Sequence, residues 1–89
     1  MDAQFRWIEW NIDHATSHGC TIAEIESVVL RAGHGWPRKE AGGKYMIEGR
    51  GTGDRLVKVV FLKDPPPART LFVIHAMPLT TRRRRRARK

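Results

Sequence analysis

The residues of this 89-residue chain that could carry chemistry are four histidines, one cysteine, three tryptophans and seventeen lysines and arginines. Histidine titrates near neutral pH and can take or give a proton. His75 lies in the apolar run from Leu71 to Met77, where strict alternation puts it on the face opposite Phe72, Ile74 and Ala76. There it is either an acid or base at a site or a half-buried sheet histidine with a hydrogen-bond partner. Lys58 interrupts another apolar run; it faces a substrate, snorkels past the sheet edge or faces a partner chain. His14 and His18 are four apart, a spacing compatible with two metal ligands, but no third ligand is obvious. His18 precedes a glycine and reads instead as a donor to the free carbonyls of a helix C-terminus. Cys20 reads as a small buried group rather than a nucleophile, and a single cysteine excludes an internal disulfide. Trp7 and Trp10 read as core, and Trp36, in a glycine-rich loop, is the one tryptophan to consider for ligand contact.

The net charge is +8, unevenly placed: Arg82, Arg83, Arg84, Arg85, Arg86, Arg88 and Lys89 hold all but one unit of it. The rest of the chain carries ten basic and nine acidic groups and is nearly neutral. A run of this kind reads as a phosphate-binding arm, a solvated tail or an arm that docks on an acidic partner. With 40% hydrophobic and 29% charged residues, the composition is that of a globular chain. No apolar run approaches the roughly 20 residues needed to span a bilayer. The start shows no basic stretch followed by an apolar core, so a cytoplasmic protein is expected.

These groups must be held by local elements. Phe5 to Ile8 alternates as a short extended segment, and a helix is expected from about Glu9 to Ser17, ended by Gly19. Thr21-Ile22-Ala23-Glu24 reads as a capping box, with the Thr21 hydroxyl accepting from the Glu24 N–H and the Glu24 carboxylate reaching back to the Thr21 N–H. Ile22, Ile25, Val28, Val29 and Ala32 form one stripe of the helix it opens, and Gly33 stops it. His34 to Gly43 reads as a loop. Three strands follow, at Lys44 to Gly49, Arg55 to Leu62 and Thr70 to Ala76. Gly51-Thr52-Gly53-Asp54 joins the first two as a hairpin with glycines at positive φ, and Asp64-Pro65-Pro66-Pro67 joins the last two. Gly49 to Gly53 lacks the Lys-Ser/Thr ending of a nucleotide-binding loop. The second and third strands are apolar on both faces and predict cover on both sides, at least in part. Pro78 ends the last strand, and Thr80 or Thr81 could cap an arginine-rich helix. The expected fold is a two-layer α+β domain over residues 1–80, helices on a small antiparallel meander, with an arginine-rich tail or helix over 81–89.

In this order the residues resemble a family. Trp7, Asn11-Ile12-x-His14, His18-Gly19-x-Thr21-x-x-Glu24, then Tyr45-x-x-x-Gly49, Asp54-Arg55-Leu56-x-x-Val59-Val60-Phe61, then Val73-Ile74-x-Ala76 and Pro78-x-Thr80 are similar to the motifs of BrnT-type ribonuclease toxins, within the RelE superfamily. Ile8 stands where that family usually has Asp, and Met77 where it usually has Arg. The resemblance implies a RelE-like fold and metal-independent, cofactor-free cleavage of messenger RNA. It also implies an antitoxin partner of ribbon-helix-helix type, and no membrane. The toxin would be a homodimer or a heterotetramer with the antitoxin. In the implied reaction the 2′-hydroxyl attacks the neighbouring phosphate and the 5′-oxygen leaves, which needs a base, an acid and positive charge. Arg55 matches the family's strand-leading arginine and becomes the expected phosphate clamp, with His75 as acid or base and Lys58 beside it. As a rival reading, Arg55 flanks a hairpin in solvent. Lys44, Tyr45 and Arg50 would extend a phosphate groove, and Arg82, Arg83, Arg84, Arg85 and Arg86 would bind RNA. The alternative is a nucleic-acid or partner-binding module of the same fold, its catalysis weakened by Met77.

If every charge of the arginine run meets a phosphate, log Kobs against log salt for single-stranded RNA has a slope of about −5. Deleting Arg82 to Lys89 should bring the slope close to that of the nearly neutral body, measured by fluorescence anisotropy across a salt series.

Overall fold

The computed structural model describes residues 3–79. The arginine run, and the cap assigned to Thr80 or Thr81, lie outside the described residues. Two helices, α1 (Glu9–Thr16) and α2 (Ile22–Leu30), precede four strands: β1 (Arg38–Lys39), β2 (Lys44–Arg50), β3 (Leu56–Lys63) and β4 (Leu71–Pro78). The strands form one antiparallel sheet in the order β1-β2-β3-β4. The chain is α+β, as its patterning requires.

Each helix is started by side chains. The wholly buried Asn11 accepts from the Ile8 N–H at 2.7 Å and donates to the Arg6 carbonyl at 3.1 Å, which fixes the entry to α1. The Thr21 hydroxyl accepts from the Glu24 N–H at 3.1 Å and starts α2. The other half of the capping box does not form, because the Glu24 carboxylate turns to the β2–β3 hairpin instead. Ile25, Val28 and Val29 are buried. The helix ends before Gly33; the left-handed residue beyond it is Gly35, at φ 91°.

The loop expected from His34 to Gly43 contains an edge strand, since Arg38 and Lys39 pair with Met46 and Tyr45. Before α1, Phe5 pairs in parallel with Leu71 and occupies the start of the outer edge of β4. Ile47, Val57, Val59, Phe61, Val73 and Ala76 line one sheet face and pack with Ala15, Ile25, Val28 and Val29 of the helices. Gly49 lets α2 approach, for a Cβ there would sit 3.3 Å from Val28 Cγ1.

The other face carries Lys44, Met46, Glu48, Lys58, Val60, Leu62, Phe72, His75 and Met77. None of these is fully buried, and along β4 the side chains of Trp10 and Arg6 lie against Phe72 and that of His18 against His75. The helices cover one side of β3 fully, and on the other side Lys58, Val60 and Leu62 are half-buried, so the cover expected on both sides is complete on one and partial on the other. The apolar outer positions give the strand its continuous hydrophobic run. Among the described residues no helix is long and apolar enough to cross a membrane.

Phe61 is wholly buried at the middle of the core. Phe61→Ala should cost about 3–5 kcal/mol of unfolding free energy. In urea denaturation this appears as a lowered midpoint with an unchanged slope.

Candidate functional site

Two groups of side chains meet at the corner between α1 and α2. The first is built on Glu24, one turn into α2 and only 2% exposed in its side chain. Arg55, which precedes β3, donates to it twice, from Nε to Oε2 at 3.0 Å and from Nη2 to Oε1 at 2.7 Å. The Thr52 N–H donates to Oε2 at 2.8 Å. Arg55 Nη2 also reaches the Gly19 carbonyl at 3.3 Å. One carboxylate thus ties α2, the α1–α2 corner and the β2–β3 turn together. Gly51 makes room for it, because a Cβ there would lie 2.3 Å from Glu24 Oε2 and 2.9 Å from Val57 Cγ2. The hairpin glycines consequently differ: Gly53 takes φ 67°, whereas Gly51 stays extended and serves by its lack of a side chain. The Arg55 guanidinium and the Thr52 N–H hold the Glu24 carboxyl below its ordinary value, against the opposing effect of burial. Burial, with Glu24 close by, pushes the Cys20 thiol up, in keeping with an inert buried cysteine.

Arg55 is therefore neither of the two things expected of it. It does not flank the hairpin freely in solvent, and its charge is matched by Glu24 rather than offered whole to a phosphate. Its side chain remains 41% exposed, and its contact with Gly19 sets it one residue from His18.

The second group lies on the open face. Between Val60↔His75 and Phe61↔Val73 the register shifts, leaving Ile74 as an extra residue on β4. This bulge reverses the alternation, as such insertions do. His75 consequently lies on the same face as Phe72, not opposite it as strict alternation predicts. Its ring meets that of His18 edge-on, with centroids 5.3 Å apart. Partial burial, then the charges of His18 and Lys58, hold the His75 imidazole below its ordinary value of 6.5, so it is neutral at pH 7. Lys58 lies on the same face, cross-strand from Glu48 and Met77. Spacing in the sequence sets His18 beside His14, four residues away; 57 residues separate it from His75, and no local pattern signals that pair.

The remaining expected residues divide. Lys44 is exposed on the open face, opposite Leu62. Tyr45 points to the helix side, where its ring stacks on Phe61 with Lys63 over it at 4.3 Å, so it does not extend a groove with Lys44. Arg50 is held by Asp54, donating from Nη1 to its carbonyl at 3.1 Å. Trp7 packs against the core and donates to Glu26 at 2.8 Å. Trp36 also packs against the core, with Arg38 over its ring at 4.7 Å, while Trp10, expected inside, is exposed. Trp10 is outside because α1 lies along β4 and carries it past the sheet edge to Phe72. His14 donates to the Trp10 carbonyl through Nδ1 at 2.7 Å. Among the described residues no three His, Cys, Asp or Glu side chains could hold a metal ion together.

No protein family, no curated protein and no solved structure matches this chain.

Glu24→Gln should lower stability by about 2 kcal/mol, since it weakens charge-assisted bonds to a buried acceptor. Because folding holds this carboxyl below its ordinary 4.5, its contribution is complete above that pH. It is lost as pH falls through the lower folded value, so the wild type and Glu24→Gln should converge in acid when thermal midpoints are compared across pH. Gly51→Ala should cost about 1–3 kcal/mol through overpacking in the same measurement.

Proposed function

We propose that this chain is a RelE-like, metal-independent endoribonuclease, the toxin of a type II toxin–antitoxin pair acting in the cytoplasm. The observation that carries the ribonuclease reading is the meeting of His18 and His75, ring to ring, on a face that also carries Lys58. A base, an acid and a cation are what cleavage through the 2′-hydroxyl needs. The neutral His75 takes the proton of the attacking 2′-hydroxyl. As the new bond to phosphorus forms, the bond to the 5′-oxygen breaks, and His18, as the acid, supplies the proton to that oxygen. Lys58 meets the charge that builds on the phosphate. The products are a 2′,3′-cyclic phosphate and a 5′-hydroxyl, and both histidines exchange protons with water to begin again.

In this assignment Arg55 is a positioning residue, holding the corner that bears His18. The toxin reading rests on the motif resemblance and implies an antitoxin of ribbon-helix-helix type. Such a partner would cover the cationic face by charge complementarity, in a homodimer or a heterotetramer. The second reading, a binding module of the same fold, is favoured by two observations: the charge of Arg55 is already matched by Glu24, and Met77 stands beside Lys58 across the strands, where the resemblance expects an arginine.

His75→Ala should lower kcat for a single-stranded RNA by about 10²–10⁴-fold while leaving the thermal midpoint close to wild type. The rate should rise with pH through a value below 6.5, as the His75 base loses its proton. Gel analysis of end-labelled RNA with identification of the cyclic phosphate checks both. Wild-type RNA binding without cleavage would establish the binding module in its place.

A further inference from the structure

The histidine pair is built for a second chemistry besides proton transfer. Among the described residues no group hydrogen-bonds to the ring of His18 or of His75, whereas His14 spends its Nδ1 on the Trp10 carbonyl. Both rings reach solvent, His18 exposed and His75 half-buried. Their backbones are nevertheless fixed. His18 sits between the end of α1 and Gly19, whose N–H donates to the Thr16 carbonyl at 3.2 Å and whose carbonyl accepts from Arg55 at 3.3 Å. His75 is paired with Val60 beside the bulge at Ile74. Two imidazoles with uncommitted nitrogens are thus held on separate rigid elements, with ring centroids 5.3 Å apart and planes at 70°.

That separation has a chemical meaning. Zinc bonds to imidazole nitrogen at about 2.0–2.1 Å, and with each ring centre about 1.1 Å further out, two histidines on one tetrahedral ion have centres about 5 Å apart. The last torsion of a histidine is broad, so either ring turns a nitrogen toward the point between them at little cost. Lys58 shares the face and opposes a cation, but Glu48 lies directly across the strands from it. Imidazole suits zinc, copper and nickel, whereas magnesium and calcium need oxygen ligands, which the pair does not offer. We propose that His18 and His75 form a two-histidine seat for a divalent transition-metal ion of this class, with water completing the coordination. Having no third protein ligand among the described residues, the seat takes and releases its ion reversibly, unlike a four-ligand structural site. An ion held there occupies the nitrogen lone pairs with which His75 takes a proton and His18 carries one. The metal-free chain therefore cleaves RNA and the metal-loaded chain does not. The seat stands on the geometry alone; its effect on cleavage rests on the ribonuclease reading.

The test uses the full chain, stripped of metal with a chelator and dialysed, and zinc chloride as the probe. Isothermal titration calorimetry at neutral pH reads binding. A single zinc per chain should bind, and His18→Ala or His75→Ala should each weaken it at least about tenfold, whereas His14→Ala leaves it unchanged. His75→Gln, which keeps a polar side chain at the half-buried position, should weaken it as much as the alanine. Nickel should compete with zinc, and millimolar magnesium should not. On end-labelled RNA, saturating zinc should stop cleavage and a chelator should restore it. No zinc binding by the parent, equal affinity in the parent and the His18 and His75 variants, or displacement of zinc by magnesium overturns the seat; cleavage by the metal-free chain then leaves the nuclease standing. Binding that both changes weaken, with no cleavage by the metal-free chain, upholds the seat and removes the nuclease. The same loss of binding, with cleavage that continues at saturating zinc, upholds the seat and shows that these histidines are not the acid and base.

Discussion

A single buried carboxylate organises this molecule. Glu24 accepts from Arg55 and from the Thr52 backbone, and it is almost wholly removed from water. An ion pair in such a place gains little over an apolar contact of the same shape, because both charges lose hydration. What it supplies is direction. The planar fork of Arg55 fits only one orientation of the carboxylate, and the Thr52 N–H fits the same carboxylate only when the β2–β3 turn is closed. The turn, the second helix and the Gly19 corner are therefore set relative to one another by one acceptor group. Unpaired, that group would carry a large desolvation penalty, so the corner either forms whole or loses its support.

The sheet is asymmetric as a consequence. Helices dock on one side, where Ile47, Val57, Val59, Phe61 and Val73 make a dry core, and the opposite side keeps half-buried apolar and cationic residues in view of solvent. The corner that Arg55 supports carries His18 round to this second side. One extra residue in β4 completes the arrangement. Without the bulge at Ile74, Phe72 and His75 would point to opposite faces, and the aromatic pair and the histidine pair would not share a surface. The proposed chemistry depends on that local irregularity.

Much of the framework was legible because it is local. The apolar stripe of α2, the Thr21 cap, the turn glycines and the two apolar strand runs follow from neighbouring residues. The short edge strand was not, since Arg38 and Lys39 carry no strand pattern of their own and are drawn into the sheet by the edge of β2. The partner of Glu24 was misread for a related reason. Three residues away the Thr21 N–H offered one hydrogen bond, whereas Arg55 and Thr52, about thirty residues on, offered three to a carboxylate already leaving water.

By itself the sequence determined an α+β chain with a nearly neutral body, a concentrated basic run at Arg82 to Lys89, and a set of residues capable of proton transfer and phosphate contact. Composition and short-range periodicity decide those properties. Only the tertiary structure decided which of those residues meet: Arg55 with Glu24, His18 with His75, and Trp10 with Phe72. The physical reason is that each pairing spans thirty or more residues and depends on helix docking or on one inserted strand residue. Such distances and parities are fixed by packing and leave no trace in the spacing of the side chains involved.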